Sequence, residues 1–125
     1  MDLREYQEKA MSTCMATSEN FGYMFINLVG EVGEFASKIA KAIRNDAVTI
    51  RDNRLSPVRL FEQGDLEKFI NMDEELKKEA GDILWQLTGL CVMMGWELED
   101  IAQMNIRKLA DRLQRDKING EGDNR

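Results

Sequence analysis

Histidine is absent from this chain of 125 residues. The absence excludes histidine general bases, serine–histidine–aspartate triads and zinc sites that have histidine ligands. Proline occurs once, at Pro57, so the composition contains little that would interrupt a helix. Cysteine occurs twice, at Cys14 and Cys91, without the close spacing of a metal site. We therefore predict two free thiols in a reducing compartment, and a disulfide is the less favoured alternative.

Positive charge is also scarce, because 17 Lys and Arg residues stand against 23 Asp and Glu residues, a formal net charge of −6. This balance argues against binding of nucleic acid polymers, which depends on neutralising phosphates with Lys and Arg. A small phosphorylated ligand remains compatible, because a bound divalent ion reverses the local charge. No apolar run is long enough to span a membrane and the first residues do not form a signal peptide, so a cytoplasmic protein without a membrane segment is expected.

Helical periodicity dominates the sequence and predicts one all-α domain over residues 1–125, with four main helices in an antiparallel bundle. In the second helix, apolar residues recur at steps of three and four from Phe25 to Ile43. The predicted helices are Leu3 to Ser18, Asn20 to Arg44, Asn71 or Asp73 to Met94, and Leu98 to Lys117. Residues 45–72 are predicted to be a polar connection with room for one short helix over 58–69, and residues 118–125 a non-helical tail.

Two short acidic pairs are the strongest chemical signal in the chain. Glu31 and Glu34 are three residues apart in the second predicted helix, and Glu79 and Asp82 have the same spacing in the third. On a helix this spacing places both carboxylates of a pair on one face, about one turn apart. On a helical wheel, each acidic pair lies to the side of its helix's apolar stripe, and the direction of rotation from the stripe is the same in both helices. Two such sides meet if the helices pack antiparallel. Four carboxylates in that arrangement would form a site for Mg²⁺ or Mn²⁺, ions that handle phosphates.

A simpler interpretation is that these acids are solvated residues at the border of an apolar stripe. Charged residues make up 32% of the chain, so acidic residues on helix flanks are common in it. Four clustered carboxylates without a cation would raise one another's pKa values and reduce stability, which favours a bound ion. The spacing alone leaves both interpretations open.

The acidic pairs resemble the signature of a known family, the MazG-like all-α nucleoside triphosphate pyrophosphohydrolases. That signature is Glu-x-x-Glu on one helix and Glu-x-x-Asp on the next, and here it reads EVGE at 31–34 and EAGD at 79–82. The similarity also covers EYQEKA near the start, GEVGEFASKIAKAIR, residues 79–112 and the closing GEGDNR. Residues 45–72 find no counterpart. Two positions depart from the pattern: Gln86 replaces a common aromatic, which is expected to alter base stacking, and Glu97 replaces a frequent helix-capping serine.

The resemblance implies that Glu31, Glu34, Glu79 and Asp82 bind the divalent ions, Mg²⁺ or Mn²⁺, that hold a nucleoside triphosphate. Glu34 is also our choice for the catalytic residue that accepts a proton from the attacking water. Cations and amide donors of the same signature would lie near phosphate: Lys38, Asn105, Lys108, Arg112 and Arg125. The tail residues Asp123 and Asn124 are expected to fold over a neighbouring site together with Arg125.

Family members cleave a nucleoside triphosphate to the monophosphate and pyrophosphate, so the resemblance implies this hydrolysis, with deoxynucleotides as the expected substrates in cleansing or tuning of the nucleotide pool. It also implies a homodimer or homotetramer that completes the bundle. Wide apolar stripes that include Phe21, Phe25, Trp85 and Trp96 agree with such an assembly. Two alternatives stay open: a non-catalytic helical oligomerisation or nucleotide-sensing module, and a related all-α activity of the dUTPase or phosphoribosyl-ATP pyrophosphatase type.

Overall fold

A computed structural model describes residues 1–116, 118–120 and 122–123 of the chain. Its elements in chain order are α1 (Leu3–Met11), a 3₁₀ turn (Ala16–Ser18), α2 (Phe21–Arg44), β1 (Val48–Arg51), β2 (Arg54–Pro57), α3 (Asp65–Met93) and α4 (Leu98–Gln114). The predicted all-α class is confirmed, with one small hairpin added to it. None of the described helices combines the length and the apolar character that a bilayer-crossing segment needs.

The centre of the fold is the antiparallel pair of α2 and α3. Near the start of α2, the fully buried side chain of Met24 lies against Gly89 near the end of α3, so closely that a Cβ at Gly89 would collide with it. Further along α2, Lys38 forms an ion pair with Glu79. The later residue of α2 therefore contacts the earlier residue of α3, which shows that the two helices run antiparallel.

The helix α4 is held to α1 at its first turn. Glu97, the residue before α4, makes no side-chain cap hydrogen bond. Instead, Oε1 of Gln7 in α1 accepts the backbone N–H of Leu98 at 2.7 Å, which satisfies one of the free N–H groups at a helix start. The preceding helix, α3, ends at Met93, one residue before the predicted Met94, and the predicted stop Gly95 follows the C-cap Met94 in the left-handed region at φ 73°.

The helix α1 is shorter than predicted, because it ends at Met11 and does not reach Ser18. The hydroxyl of Thr13 donates to the carbonyl oxygen of Ala10 at 2.6 Å, a side-chain bond that competes with continuation of the helix. The same carbonyl accepts Nε1–H of Trp85 from α3 at 3.1 Å. The end of α1 is therefore fixed by contacts from outside the helix, which its own periodicity does not reveal.

The connection over 45–72 contains a β-hairpin where we predicted no strand. The strands β1 and β2 pair in an antiparallel register that joins Val48 to Pro57. Asp52 and Asn53 form the loop, and both have positive φ values, of 51° and 62°. A two-residue hairpin loop of this kind requires left-handed residues, for which Asp and Asn are suited. A Val-Thr-Ile run followed by Asp-Asn was the available signal for this hairpin.

The start of the third helix was also predicted wrongly. The helix α3 begins at Asp65, ahead of the predicted Asn71 or Asp73, and follows Gly64 at φ 94°. The predicted short helix over 58–69 does not form as a separate element, since residues 58–64 are irregular and its second half belongs to α3. At the other end of the chain, α4 ends at Gln114, and the predicted end at residue 117 lies outside the described residues.

Few apolar side chains are buried in the single chain. Among the described residues the buried apolar ones are Ala10, Met24, Val48, Leu76, Cys91 and Leu98. In contrast, Phe21, Phe25, Val29 and Val32 are each at least 50% exposed and share one side of α2, which we call the open α2 face. An apolar face of this size is typical of a surface that another subunit covers. Both cysteines are free, as predicted.

Candidate metal centre

Three carboxylates meet between α2 and α3. Glu31 in α2, and Glu79 and Asp82 in α3, each place one oxygen within 4.8 Å of the others. The i,i+3 spacing puts Glu79 and Asp82 on one side of α3, and the antiparallel packing brings Glu31 opposite them. We call these three residues the acidic cluster. Glu34, the fourth predicted ligand, is exposed and lies outside this group.

The acidic cluster fits a hard divalent cation. Two oxygens on opposite sides of a Mg²⁺ ion, each at about 2.1 Å, lie about 4.2 Å apart, so three oxygens that all lie within 4.8 Å of one another could become its ligands with small movements. Glu79 is only 8% exposed, and its Oε2 atom has no hydrogen-bond partner among the described residues. An unpaired buried carboxylate oxygen is costly. A cation bound by the acidic cluster would satisfy it.

The electrostatic field at the acidic cluster is negative. The pKa of Glu31 lies above its ordinary value, first because of burial and then because of the charges of Glu34 and Asp82. A hydrogen bond from Asn27 opposes this rise. Burial, followed by the charge of Asp82, also raises the pKa of Tyr6. A divalent cation would relieve this repulsion between like charges.

Two side-chain amides between α2 and α3 form a hydrogen-bonded line that ends at Glu31. Nδ2 of Asn27 donates to Oε1 of Glu31 and to Oε1 of Gln86, both at 3.1 Å. Gln86 is 2% exposed and points into the α2–α3 interface. It is therefore not available to stack on a nucleobase, and the expectation that the loss of an aromatic at this position alters base stacking stays a prediction. Asn27 was assigned no role from the sequence, although it lies four residues before Glu31 and could have been found by that spacing.

Lys38 lies against the acidic cluster. Its Nζ atom is 2.8 Å from Oε1 of Glu79 and 3.5 Å from Oε2 of Glu75. These contacts, the hydrogen bond to Glu79 first, raise the pKa of Lys38. The lysine therefore supplies a positive charge beside the buried Glu79 and the exposed Glu75, at a position from which a bound cation could displace it.

The remaining predicted phosphate ligands lie on α4, where their described contacts are with the tail. Arg112 is 4% exposed, and its Nη2 atom donates to the backbone oxygen of Asp123 at 3.0 Å and to Oδ1 of Asp123 at 3.1 Å. Nζ of Lys108 is also 3.1 Å from Oδ1 of Asp123. These two cations lower the pKa of Asp123. Asn105 is exposed and lines a shallow cavity of about 290 Å³ next to Lys108.

Two tail residues lie outside the described residues: Arg125, which we expected to bind phosphate, and Asn124, which we expected to fold over a neighbouring site. The described structure thus forms two separate groups of charged side chains. One is the acidic cluster with Lys38, and the other is the pair Lys108 and Arg112 with the carboxylate of Asp123.

Comparison with known proteins identifies this arrangement of helices and acids. The family model described as the MazG nucleotide pyrophosphohydrolase domain matches residues 21–115. The chain belongs to the MazG family. The match extends from α2 to the end of α4 and contains the whole acidic cluster, the hairpin, Lys108 and Arg112. The hairpin residues, for which the resemblance gave no counterpart, thus lie within the MazG match.

A curated protein is similar to most of this chain. The Gene 37 protein of Mycobacterium phage L5 is 32% identical to this MazG chain over 108 residues, which cover 86% of this chain and 78% of that protein. Its name states no activity. No solved structure shows a significant match to the chain.

Proposed function

We propose that the protein is a metal-dependent nucleoside triphosphate pyrophosphohydrolase, which converts a (d)NTP and water into a (d)NMP and pyrophosphate. Deoxynucleotides are the proposed substrates, in cleansing or tuning of the nucleotide pool. One observation carries the proposal: a MazG domain in which three carboxylates converge and Oε2 of the buried Glu79 lacks a partner among the described residues. A bound cation would neutralise the three carboxylates and give Oε2 of Glu79 a partner. The MazG family assignment supports a nucleotide as the substrate.

Glu31, Glu79 and Asp82 would hold Mg²⁺ or Mn²⁺. When bound, such an ion supplies an activated water and positive charge for the phosphate oxygens. Lys38 has its ammonium group at the edge of the same cluster, 2.8 Å from Glu79. We propose that Lys38 stabilises the acids in the absence of an ion and turns to a phosphate oxygen of the substrate when the ion takes its place at Glu79.

Glu34 is the proposed general base. It is exposed and makes no hydrogen bond or ion pair within the described part of the chain, while its charge is felt by Glu31. A carboxylate that is close to the ligands but not engaged by them is suited to accept a proton. As the water oxygen bonds to phosphorus, the phosphorus–oxygen bond to the pyrophosphate group breaks and the water proton passes to Glu34.

The cations of α4 are the proposed phosphate-binding group, together with Asn105 and Arg125. Support comes from Lys108 and Arg112, which jointly bind the carboxylate of Asp123 and so already accept an anionic oxygen between them. The same positive pair would stabilise the charge of a polyphosphate. No contact joins these cations to the acidic cluster among the described hydrogen bonds and ion pairs. We therefore also propose a homodimer or homotetramer in which another subunit contributes to the site.

The test is release of pyrophosphate from a panel of NTPs and dNTPs with Mg²⁺, including dUTP and phosphoribosyl-ATP. We expect release by the wild type and a loss of at least about 100-fold in Glu79→Gln and Glu34→Gln. Glu8→Gln, which removes an exposed carboxylate from α1, is the matched control and should keep full activity. EDTA should abolish release.

The panel also separates the alternatives. Hydrolysis restricted to dUTP or to phosphoribosyl-ATP would replace the proposed substrate class with one of those two. A folded, oligomeric wild type that releases no pyrophosphate from any nucleotide would overturn the enzyme proposal in favour of a non-catalytic module.

A further inference from the structure

A continuous line of hydrogen bonds runs from the backbone of α2, across to α3, and back to the acidic cluster. Nε2 of Gln86 donates to the carbonyl oxygen of Met24 at 3.5 Å and approaches its sulfur at 3.4 Å. Oε1 of Gln86 accepts from Nδ2 of Asn27, and the same nitrogen donates to Oε1 of Glu31. The line therefore ends on a carboxylate oxygen of the acidic cluster.

The donors and acceptors in this line fix its direction. The carbonyl oxygen of Met24 can only accept, so the amide of Gln86 must present its nitrogen to Met24 and its oxygen to Asn27. Asn27 must then present its nitrogen to both partners, and its two N–H groups are used by Gln86 and Glu31. Rotating either amide by half a turn would place two donors or two acceptors together.

We propose that Gln86 is a positioning residue for Glu31 and that it acts through Asn27. This inference rests on the proposed function in one respect, that Glu31 is a ligand of the divalent ion. Gln86 holds the Asn27 amide in the orientation that donates to Oε1 of Glu31. The carboxylate is then presented in one direction, as partners beyond the direct ligands orient carboxylate and histidine ligands in metal sites generally.

Two other roles for Gln86 fit the structure less well. Contact with a nucleotide is excluded because the side chain is 2% exposed within this chain alone. Simple filling of the interface does not need an amide, because a buried amide costs free energy unless it is hydrogen-bonded, and an apolar side chain of similar size would pack without that cost. Both amide atoms of Gln86 are instead used in the line that leads to Glu31.

The experiment is calorimetric titration of nucleotide-free protein with Mn²⁺, together with a thermal melt of each variant. Asn27→Ala removes the donor to Glu31 and should weaken Mn²⁺ binding about tenfold. Gln86→Met keeps the volume but frees the Asn27 amide, so we expect a loss of about threefold to tenfold. Gln103→Met is the matched control, since Gln103 is an exposed glutamine of α4 that bonds to Glu99, and its variant should bind Mn²⁺ like the wild type.

The double variant Asn27→Ala/Gln86→Met distinguishes positioning from packing. If Gln86 acts through Asn27, the double variant binds Mn²⁺ no more weakly than Asn27→Ala does. If Gln86 has an independent packing role, the two losses multiply. Multiplied losses, or a folded Gln86→Met with wild-type Mn²⁺ affinity, would overturn the inference. Should Gln86→Met not fold, Gln86→Leu takes its place in the same cycle.

The same titration keeps this inference apart from the proposed function. Weaker Mn²⁺ binding in the variants, with no hydrolysis of any nucleotide by the wild type, would support the positioning role and overturn the enzyme. Hydrolysis by the wild type with unchanged Mn²⁺ affinity in Gln86→Met would do the reverse. A wild type that binds no Mn²⁺ overturns the positioning role, because Glu31 is then not a ligand.

Discussion

The two long sides of α2 reverse the usual arrangement of a helix in a small protein. The side that packs against α3 carries Asn27, Glu31 and Lys38 among its apolar residues. The open α2 face is apolar and at least half exposed. A helix that served only this one chain would bury the apolar side and expose the polar one. The polar residues face α3 because they belong to the candidate metal centre or contact it. The apolar residues of the open α2 face are not covered by the described part of this chain.

We call the side of α2 that contacts α3, together with the α3 surface it contacts, the packed face. The carboxylates of the candidate metal centre make the packed face less stable, and burial of the open α2 face would offset this loss. A fully apolar contact between α2 and α3 would be more stable than one that contains like-charged carboxylates. Burial of Phe21, Phe25, Val29 and Val32 against a second copy would compensate at about 25 cal/mol per Å² of apolar surface. Each of the following predictions alters one of these two faces.

The largest effect is expected from a charge on the open α2 face. We predict that Phe25→Glu reduces the mass measured by light scattering at micromolar concentration to the 14.4 kDa of one chain, because a carboxylate at the centre of an apolar interface would be buried without a partner. The melting temperature should then no longer depend on protein concentration.

A charge on an exposed apolar residue elsewhere is the control for this experiment. Ile50→Glu, in the hairpin, makes the same kind of change at a residue that is 68% exposed and should leave the mass of the oligomer intact. A wild type that is already monomeric would show that the open α2 face is not an interface between copies of this chain.

An intermediate effect is expected from a methyl group on the packed face. Gly89→Ala would place a Cβ against the buried side chain of Met24, so we predict a loss of about 1–2 kcal/mol in the free energy of unfolding. Gly33→Ala, on α2, would place a Cβ that meets no described atom within 4 Å, so it should instead stabilise by about 0.5–1 kcal/mol through helix propensity. Urea unfolding of both variants measures the difference. If Gly89→Ala stabilised the chain as much as Gly33→Ala, the side chain of Met24 would not lie tightly against Gly89.

The two faces also explain which parts of the structure the sequence could predict. The long helices α2 and α4 follow from periodicity and start within one residue of the predicted positions. A helical wheel centres the apolar stripe of α2 near Val32, and Val32 belongs to the open α2 face and not to the side that packs against α3. Glu31 therefore seemed to be on a flank, whereas it lies in the interface with α3. Hydrophobic periodicity does not distinguish an apolar residue that is buried within the chain from one that would be buried only by another molecule.

Interactions that the periodicity of a single helix does not contain account for the helix ends that were predicted wrongly. The end of α1 depends on Trp85, and the start of α3 on a left-handed Gly64, so neither is written in the periodicity of the helix concerned. Glu79 and Asp82 could be placed on one face from their i,i+3 spacing, whereas Glu34, which has the same spacing from Glu31, lies outside the acidic cluster. The support of Glu31 by Gln86 was not predictable, because the two residues are 55 positions apart and meet only through the packing of the helices.

The smallest effect concerns the cost of the acidic cluster without a metal ion. In EDTA, we predict that Glu31→Gln melts roughly 2–4 °C above the wild type at neutral pH. The substitution removes a charge that burial and the charges of Glu34 and Asp82 disfavour, while the new amide oxygen can still accept from Asn27. Glu8→Gln removes the same single negative charge and should not change the melting temperature.

The pH dependence of that difference follows from the direction of the pKa shift. The pKa of Glu31 is higher in the folded chain than its ordinary value of 4.5, so its ionised form costs stability at a pH above the folded value. As the pH falls through the folded pKa towards 4.5, the wild type takes up the proton and the advantage of Glu31→Gln should disappear. With saturating Mg²⁺ the order should reverse at neutral pH, because the ion stabilises the chain that keeps all three carboxylates. A wild type that is more stable than Glu31→Gln in EDTA would mean that the packed face tolerates its charges without an ion, and the case for a cation at Glu79 would weaken with it.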